Sequence, residues 1–191
     1  VPDPDYYFSQ WNVLSGNVTQ RKNPDGSYSV VVREGDGKME GEFLAKPVLT
    51  VQAEGAAVQP SATIKTEPGE WVSLTATPFP GRYFEGWEIV EGAQHIDTAP
   101  GGCPTCLSVS MRGTGDAVVS AICPSLKNIR AVASYNGVED PLPIVDIKAV
   151  PGSSYRIRTD PSITRAEKRY SFRRWEIVDG DARINYARSR P

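Results

Sequence analysis

The chain has 191 residues and a formal net charge of −2, from 21 basic and 23 acidic side chains. Because the charges nearly balance, we expect no basic surface that could hold nucleic acid or an anionic membrane. No run of about 18 apolar residues occurs, so no membrane insertion is predicted. Gly and Pro are frequent and helical periodicity is absent, which favours many short β-strands joined by tight turns.

The first predicted elements lie in residues 1–46. Residues 1–5 are a Pro/Asp leader, and the chain opens with Val1 rather than Met and shows no signal peptide, so we expect a mature or excised fragment. Strands are predicted at 7–13, 28–32 and 39–43. The last two form a hairpin around Glu34-Gly35-Asp36-Gly37, a turn sequence in which Gly accepts a positive φ.

Two further units follow, and each opens at a proline. Pro47 precedes one and Pro124 the other. In the stretch that begins at Pro47, strands are predicted at 48–53, 62–66, 71–77, around Trp87, and at 107–111 and 117–123. In the stretch that begins at Pro124, strands are predicted at 129–135, 145–149 and 155–159. Asn136-Gly137 is predicted to form a turn, and Pro161 to end a strand.

A ten-residue pattern occurs three times. It begins at Tyr7, Tyr83 and Ser171, and it contains Phe, Trp, a branched pair and Gly at fixed offsets. Such self-similarity is the signature of a repeat protein. Because aromatic side chains bury about 150–250 Å² each, we expect them to fill a small core between strands. The predicted core aromatics are Phe8, Trp11, Phe84, Trp87, Phe172 and Trp175.

The aligned copies define the predicted domains. They are a complete repeat module at 47–123, the closing half of a preceding module at 1–46, and the opening part of a further module at 124–191. A gap-free alignment of the hairpins places Met39 on Val118. A unit of about 75 residues is marginal alone, so we predict a mainly β fold of small modules, β-grasp-like or sandwich-like, in an elongated tandem array.

The residues resemble those of a known family. The stretches Val72-Ser73-Leu74-Thr75-Ala76-Thr77-Pro78, Phe84-Glu85-Gly86-Trp87-Glu88-Ile89-Val90-Glu91-Gly92 and Val118-Val119-Ser120-Ala121-Ile122 are similar to the bacterial repeat domain, also called the divergent internalin-type B-repeat. The pattern departs from the family where Gln10 and Arg174 replace Gly86. The resemblance implies small, non-enzymatic β modules of secreted or surface-anchored bacterial proteins, with no catalytic residues to transfer.

Three cysteines, Cys103, Cys106 and Cys123, are the disulfide candidates. Redox use of the CxxC would need a helix N-terminus to lower a thiol pKa, and this motif lies in a Pro/Gly loop. Zinc needs four ligands, and only the distant His95 could join the thiols. If the hairpin folds about Thr114, Cys106 lies almost opposite Cys123, so we expect that bond first and Cys103–Cys123 second. A Cys103–Cys106 bond and fully reduced thiols are the alternatives.

No catalytic site, cofactor or metal site is predicted. The sequence contains no G-x-S-x-G, HExxH or phosphate loop. Asp25-Gly26 and Asp36-Gly37 match no EF-hand loop and read as turns. Trp71 does not recur in the other copies, so Trp71, together with Tyr83, is the candidate for ligand contact.

We therefore expect a structural or adhesive module of a bacterial secreted or cell-surface protein, acting as a spacer or an interaction surface. One alternative is a self-assembling extracellular filament subunit, in which the C-terminal part of one chain is completed by the N-terminal part of the next through strand addition. Another is a module that binds carbohydrate or a host protein. The expected partners are a second copy, head to tail, or a host or cell-surface ligand.

Overall fold

The computed structural model describes residues 3–135, 138–139, 144–160, 162–165, 167–177, 180 and 183. It divides the chain into two compact units, Val1–Ser125 and Leu126–Pro191. Among these residues the only helical segment is one 3-10 turn, Ala93–His95, so the mainly β prediction is confirmed. The predicted turn at Asn136-Gly137 and the strand end at Pro161 lie outside the described residues.

The first unit contains twelve strands. The strands end where the sequence has turn residues, because Gly or Pro interrupts each apolar or alternating run. The strands are β1 (Tyr6–Ser15), β2 (Val18–Lys22), β3 (Tyr28–Val32), β4 (Lys38–Ala45), β5 (Val48–Glu54), β6 (Ala56–Gln59), β7 (Ala62–Lys65), β8 (Trp71–Pro78), β9 (Gly86–Glu91), β10 (Ile96–Pro100), β11 (Cys106–Met111) and β12 (Ala117–Ile122).

Strands β5 to β12 form two four-stranded sheets that share one core. One sheet has the order β7-β5-β12-β9 and the other β10-β11-β8-β6. Successive residues of a strand point to opposite faces, and in β8 Leu74 and Ala76 are buried while their neighbours are more exposed. The core cluster combines apolar side chains from both sheets. Residues 48–122 are therefore a sandwich-like module.

The first and last strands of this module are neighbours and run parallel. Leu49 of β5 lies beside Ala117 of β12, and Val51 lies beside Val119. On their other edges β5 pairs with β7 and β12 pairs with β9, both antiparallel. Leu49 and Val119 are fully buried. This parallel pair joins the start of the module to its end.

Strands β1 to β4 repeat the pairing of β9 to β12. β1 pairs with β4 as β9 pairs with β12, and β2 pairs with β3 as β10 pairs with β11. The motif tryptophans take the same place, since Trp11 lies opposite Gly41 and Trp87 lies opposite Ala121. Residues 6–45 thus have the strand arrangement of the closing half of the complete module.

The two predicted hairpins do not form, because β3 pairs with β2 and β4 with β1, as β11 and β12 take other partners. The gap-free alignment of these two stretches is also wrong by one residue beyond the turn. Met39 pairs two residues after the motif tryptophan, and so does Val119, so these two residues correspond. The alignment had matched Met39 with Val118. The shift arises because Arg33 and Arg112 both follow the ends of equivalent strands, but the turn after Arg33 is one residue shorter.

The described part of the second unit contains six short strands in three separate pairs. β13 pairs with β16, β14 with β15, and β17 with β18. Ile129 lies opposite Ile147 as Leu49 lies opposite Ile64, so the β13–β16 pair corresponds to β5 and β7. These strands are β13 (Lys127–Ala131), β14 (Ser134–Tyr135), β15 (Val138–Glu139), β16 (Val145–Ala149), β17 (Ser162–Arg165) and β18 (Lys168–Ser171).

The strand predicted at 155–159 is absent. Residues 153–160 keep their alternation but belong to no strand. The hairpin β17–β18 lies between Pro161 and Phe172, where the third copy has more residues than the complete module has between Pro78 and Phe84. The equivalent strand β8 pairs with β6 and β11. Within the described part of the second unit, no strand pairs with 153–160, so the backbone there lacks the ladder that holds β8.

Candidate functional site

The motif aromatics form a ring pair in each of the three copies. The centroids of Phe84 and Trp87 are 6.2 Å apart, and both side chains are partly buried against the core of the complete module. In the first copy, Phe8 and Trp11 are 5.4 Å apart, but Trp11 is 37% exposed. The pair is thus a local feature of the repeat, and its burial depends on the surrounding strands.

In the third copy, Phe172 and Trp175 form the same pair with centroids 5.2 Å apart. Phe172 is exposed and Trp175 is half-buried. Residues 172–177 belong to no strand, unlike β9 of the complete module. The ring contact therefore forms without the strand that accompanies it elsewhere.

The indole of Trp87 has a second partner that the sequence did not reveal. Its Nε1–H donates a hydrogen bond to the carbonyl oxygen of Thr105 at 3.1 Å. Thr105 lies between the two cysteines of the CxxC loop. Trp87 therefore links the sheet that contains β9 to the loop that precedes β11, and a tryptophan in the core finds a partner for its polar end.

The structure forms the disulfide within that loop, between Cys103 and Cys106, whose Cα atoms are 5.0 Å apart. The preferred pairing of Cys106 with Cys123, and the second choice of Cys103 with Cys123, are wrong. β11 pairs with β8 and β10 instead of β12, so Cys106 lies beside Thr75 in one sheet, while Cys123 follows β12 of the other. Although β11 and β12 are consecutive in the chain, they belong to different sheets.

Cys123 remains a thiol and is fully buried. Burial raises its pKa, an effect that the positive charge of Arg82 opposes. The Arg82 guanidinium donates a hydrogen bond to the Cys123 carbonyl at 3.0 Å. A buried thiol with a raised pKa behaves as a small apolar side chain.

Trp71 and Tyr83, the two candidates for ligand contact, lie toward opposite ends of the module. Trp71 begins β8, lies opposite Ser110 and is 54% exposed. Tyr83 is half-buried and donates its backbone N–H to the Pro124 carbonyl, just beyond the other end of β8. Eight strand residues separate the two ends, which is roughly 23 Å at about 3.3 Å per residue. One small ligand would not contact both.

Trp71 stands on the outer face of its sheet among polar side chains. Alternation along β8 places Ser73 and Thr75 on the same face as Trp71, and Ser108 pairs with Ser73. At the same end, Arg112 forms an ion pair with Asp97 that lowers the pKa of that carboxyl group, chiefly through the hydrogen bond. This polar face with one exposed indole is the clearest candidate for contact with a ligand.

An open groove of about 550 Å³ lies where residues 3–46 meet the complete module. Its charged groups are engaged with protein partners. Lys65 forms an ion pair with Asp5 at 2.9 Å, Lys46 forms one with Glu67 at 3.4 Å, and the Asp116 carboxylate accepts the Val48 N–H at 2.9 Å. The two ion pairs join residues 3–46 to the complete module, and the hydrogen bond from Val48 to Asp116 lies within that module.

Neither a metal site nor a membrane-spanning helix occurs in the part of the chain that the structure describes. No group of three His, Cys, Asp or Glu side chains could hold a metal ion there. No helix among those residues is long and apolar enough to cross a membrane.

The two four-stranded sheets and their shared core define residues 48–122 as a small sandwich-like β module. Residues 48–121 match the family model of the divergent InlB B-repeat domain. The match confirms the resemblance seen in the sequence, since it falls on the same family and on the segment that carries the complete module. Domains of this family are typical of bacterial surface proteins. No curated protein and no solved structure gave a significant match to the chain.

Proposed function

We propose that the chain is a non-enzymatic spacer and interaction module of a bacterial secreted or cell-surface protein. The observation that carries the proposal is the parallel pairing of β5 with β12, the first and last strands of the B-repeat. The chain enters beside Val48 and leaves after Ile122, at opposite ends of the same pair of strands. Each module then advances the chain by roughly 20 Å, the length of a seven-residue strand. Antiparallel first and last strands would instead return it to its starting side.

An X-ray scattering series tests the spacer role. Chains with one, two and three copies of residues 47–123 should gain at least roughly 20 Å in maximum dimension per added copy. A matched control with the same number of residues in a flexible Gly/Ser linker should show a broad distance distribution without this increment. If added modules thicken the particle without lengthening it, the spacer role is refuted.

The surface location has its own test. Antibodies against residues 47–123 should label intact cells of the source bacterium, or its culture medium, and protease added outside should remove the cell-bound signal. Labelling only after permeabilisation would contradict a secreted or cell-surface protein.

A second candidate function is binding of carbohydrate or a host protein through Trp71. The observation that favours it is the 54% exposure of this indole on a face of serine and threonine side chains. Exposed aromatic rings with nearby hydroxyl groups suit sugar or protein ligands. On a glycan or host-protein array, Trp71→Ala should abolish binding, and Phe79→Ala, which removes another half-exposed aromatic, should not. Binding that survives Trp71→Ala would reject this surface.

Self-assembly into an extracellular filament is a further candidate. It is supported by apolar side chains that are exposed in residues 6–45 although their counterparts in the B-repeat are buried.

A further inference from the structure

Three side chains form a row on the outer face of one sheet of the complete module. Asp97 of β10 pairs with Ser110 of β11, and Ser110 pairs with Trp71 of β8. Paired residues of neighbouring strands lie on the same face, and neighbouring strands are about 4.8 Å apart. The backbones of Asp97 and Trp71 are therefore about 10 Å apart, with Ser110 midway between them.

Ser110 is the floor of this row. It is 4% exposed, although Trp71 on one side of it is 54% exposed and the Asp97 side chain on the other is 43% exposed. Its hydroxyl makes no hydrogen bond to another described residue, and no fully buried side-chain oxygen among those residues lacks a partner. The hydroxyl therefore reaches the surface between two longer side chains, where it can donate a hydrogen bond to a ligand or accept one.

Arg112 adds donors to the Asp97 side of the row. Its Nε–H donates a hydrogen bond to Oδ2 of Asp97 at 2.6 Å, and the two side chains are 60% and 43% exposed. A guanidinium has five N–H donors and a carboxylate has several acceptor positions, so the pair keeps unused groups of both kinds. Because the two charges cancel, the pair offers hydrogen bonds without attracting an anion.

The sheet surface beside the row is open. The next row on the same face consists of Ala99, Ser108 and Ser73. These side chains are short, so they do not cover the indole of Trp71 or the Ser110 hydroxyl. A flat molecule can therefore lie against the indole and still contact the floor of the row.

We propose that the row of Asp97, Ser110 and Trp71 binds one neutral hexopyranose ring of a glycan. The proposal rests on the carbohydrate candidate above and specifies its ligand class and its contacts. The C–H groups on one face of the sugar ring stack on the indole, and the ring hydroxyls bond to Ser110 and to the Asp97–Arg112 pair. An acidic sugar is disfavoured, because Arg112 is already neutralised and the exposed Glu70 precedes the indole.

NMR titration of the full chain tests the site. The site is shallow, so the dissociation constant for one sugar should be on the order of 1 mM or weaker. The probes are the methyl glycosides of glucose, galactose and mannose. At least one of them should shift the indole N–H signal of Trp71, which is assigned by its loss in Trp71→Phe. The indole N–H of Trp87 is the internal control and should not move, because it is bonded to the Thr105 carbonyl.

Variants separate the contacts, with binding followed by saturation transfer to the glycoside. Trp71→Ala removes the stacking surface and should weaken binding at least about 5-fold. Ser110→Ala should weaken it about 2- to 10-fold through the lost hydrogen bond. Phe79→Ala is the matched control, because it removes an exposed aromatic near the other end of β8, and it should have no effect. Circular dichroism checks that each variant is folded.

The charge argument has its own test. The methyl glycoside of the uronic acid that corresponds to the best neutral sugar should bind at least about 3-fold more weakly. Equal or tighter binding of this acidic sugar overturns the neutral class of ligand.

The site itself is overturned if none of the neutral glycosides shifts the Trp71 signal, or if Trp71→Ala and Phe79→Ala have equal effects. A host protein that binds through Trp71 without any response to glycosides would also overturn the sugar site, and it would leave the indole as a protein contact. The scattering series tests the spacer role separately, so failure of the sugar site leaves that role intact.

Discussion

Replacing Gly92, which closes the repeat motif, should destabilise the protein, whereas replacing Gly86, inside the motif, should not. Gly92 has a φ of 74°, a left-handed conformation that costs other residues about 1–2 kcal/mol. A Cβ there would meet the Asp116 carbonyl oxygen and would lie 2.8 Å from the Ala117 Cα. Both atoms are backbone, so a small rotamer change cannot relieve the clash, which should add about 1–3 kcal/mol.

Gly92→Ala should therefore lower the free energy of unfolding by about 2–5 kcal/mol. The melting temperature should fall by at least about 8 °C. Gly86→Ala is the matched control, because a Cβ at Gly86 meets nothing within 4 Å and the other copies have Gln10 and Arg174 there. It should change stability by less than about 1 kcal/mol, in the stabilising direction.

Urea denaturation followed by tryptophan fluorescence, together with calorimetry, measures both variants. The reasoning would be refuted if Gly92→Ala stayed within about 0.5 kcal/mol of the unmodified protein. It would also be refuted if the two substitutions had equal effects, because the argument depends on φ and on the nearby backbone of β12.

Two further predictions concern side-chain contacts. Trp87→Phe removes the hydrogen bond to the Thr105 carbonyl and part of the core contact, so it should cost about 1–3 kcal/mol in the same assay. Trp71→Phe, at an exposed indole, should stay within about 0.5 kcal/mol. The ion pair with Arg112 lowers the pKa of Asp97 from its ordinary 3.8. Its stabilisation is thus present above that value and lost as pH falls below it. Asp97→Asn should remove this part of the acid destabilisation, and unchanged pH profiles would contradict the assignment.

The sequence predicted the repeat and most of the strands because these depend on local patterns. Alternation indicates a strand, Gly and Pro indicate its ends, and Phe and Trp three residues apart meet in all three copies. The family match over 48–121 agrees with this local information. The features predicted best are therefore those that depend on neighbouring residues in the chain, such as strands and turns.

The disulfide prediction failed because it depended on a non-local choice. Folding the 107–122 hairpin about Thr114 would bring Cys106 opposite Cys123. In the structure, β11 and β12 instead join different sheets, and each takes a partner from residues 48–78. No pattern within the hairpin favours one arrangement over the other. The link from Trp87 to Thr105 depends on the same separation of sheets, so no local pattern indicates it.

The parallel pair β5–β12 also explains why the repeat motif alone does not determine burial. Its two strands are about 70 residues apart in the chain, so the core closes only when both halves of the module are present. Phe8 and Trp11 show the outcome for one half, since the ring pair forms while Val30 and Val32 stay exposed. Burial in this protein is therefore a property of paired halves. The polar face around Trp71 belongs to a module with both halves, whereas Val30 and Val32 belong to residues 6–45, where β3 pairs only with β2 among the described residues.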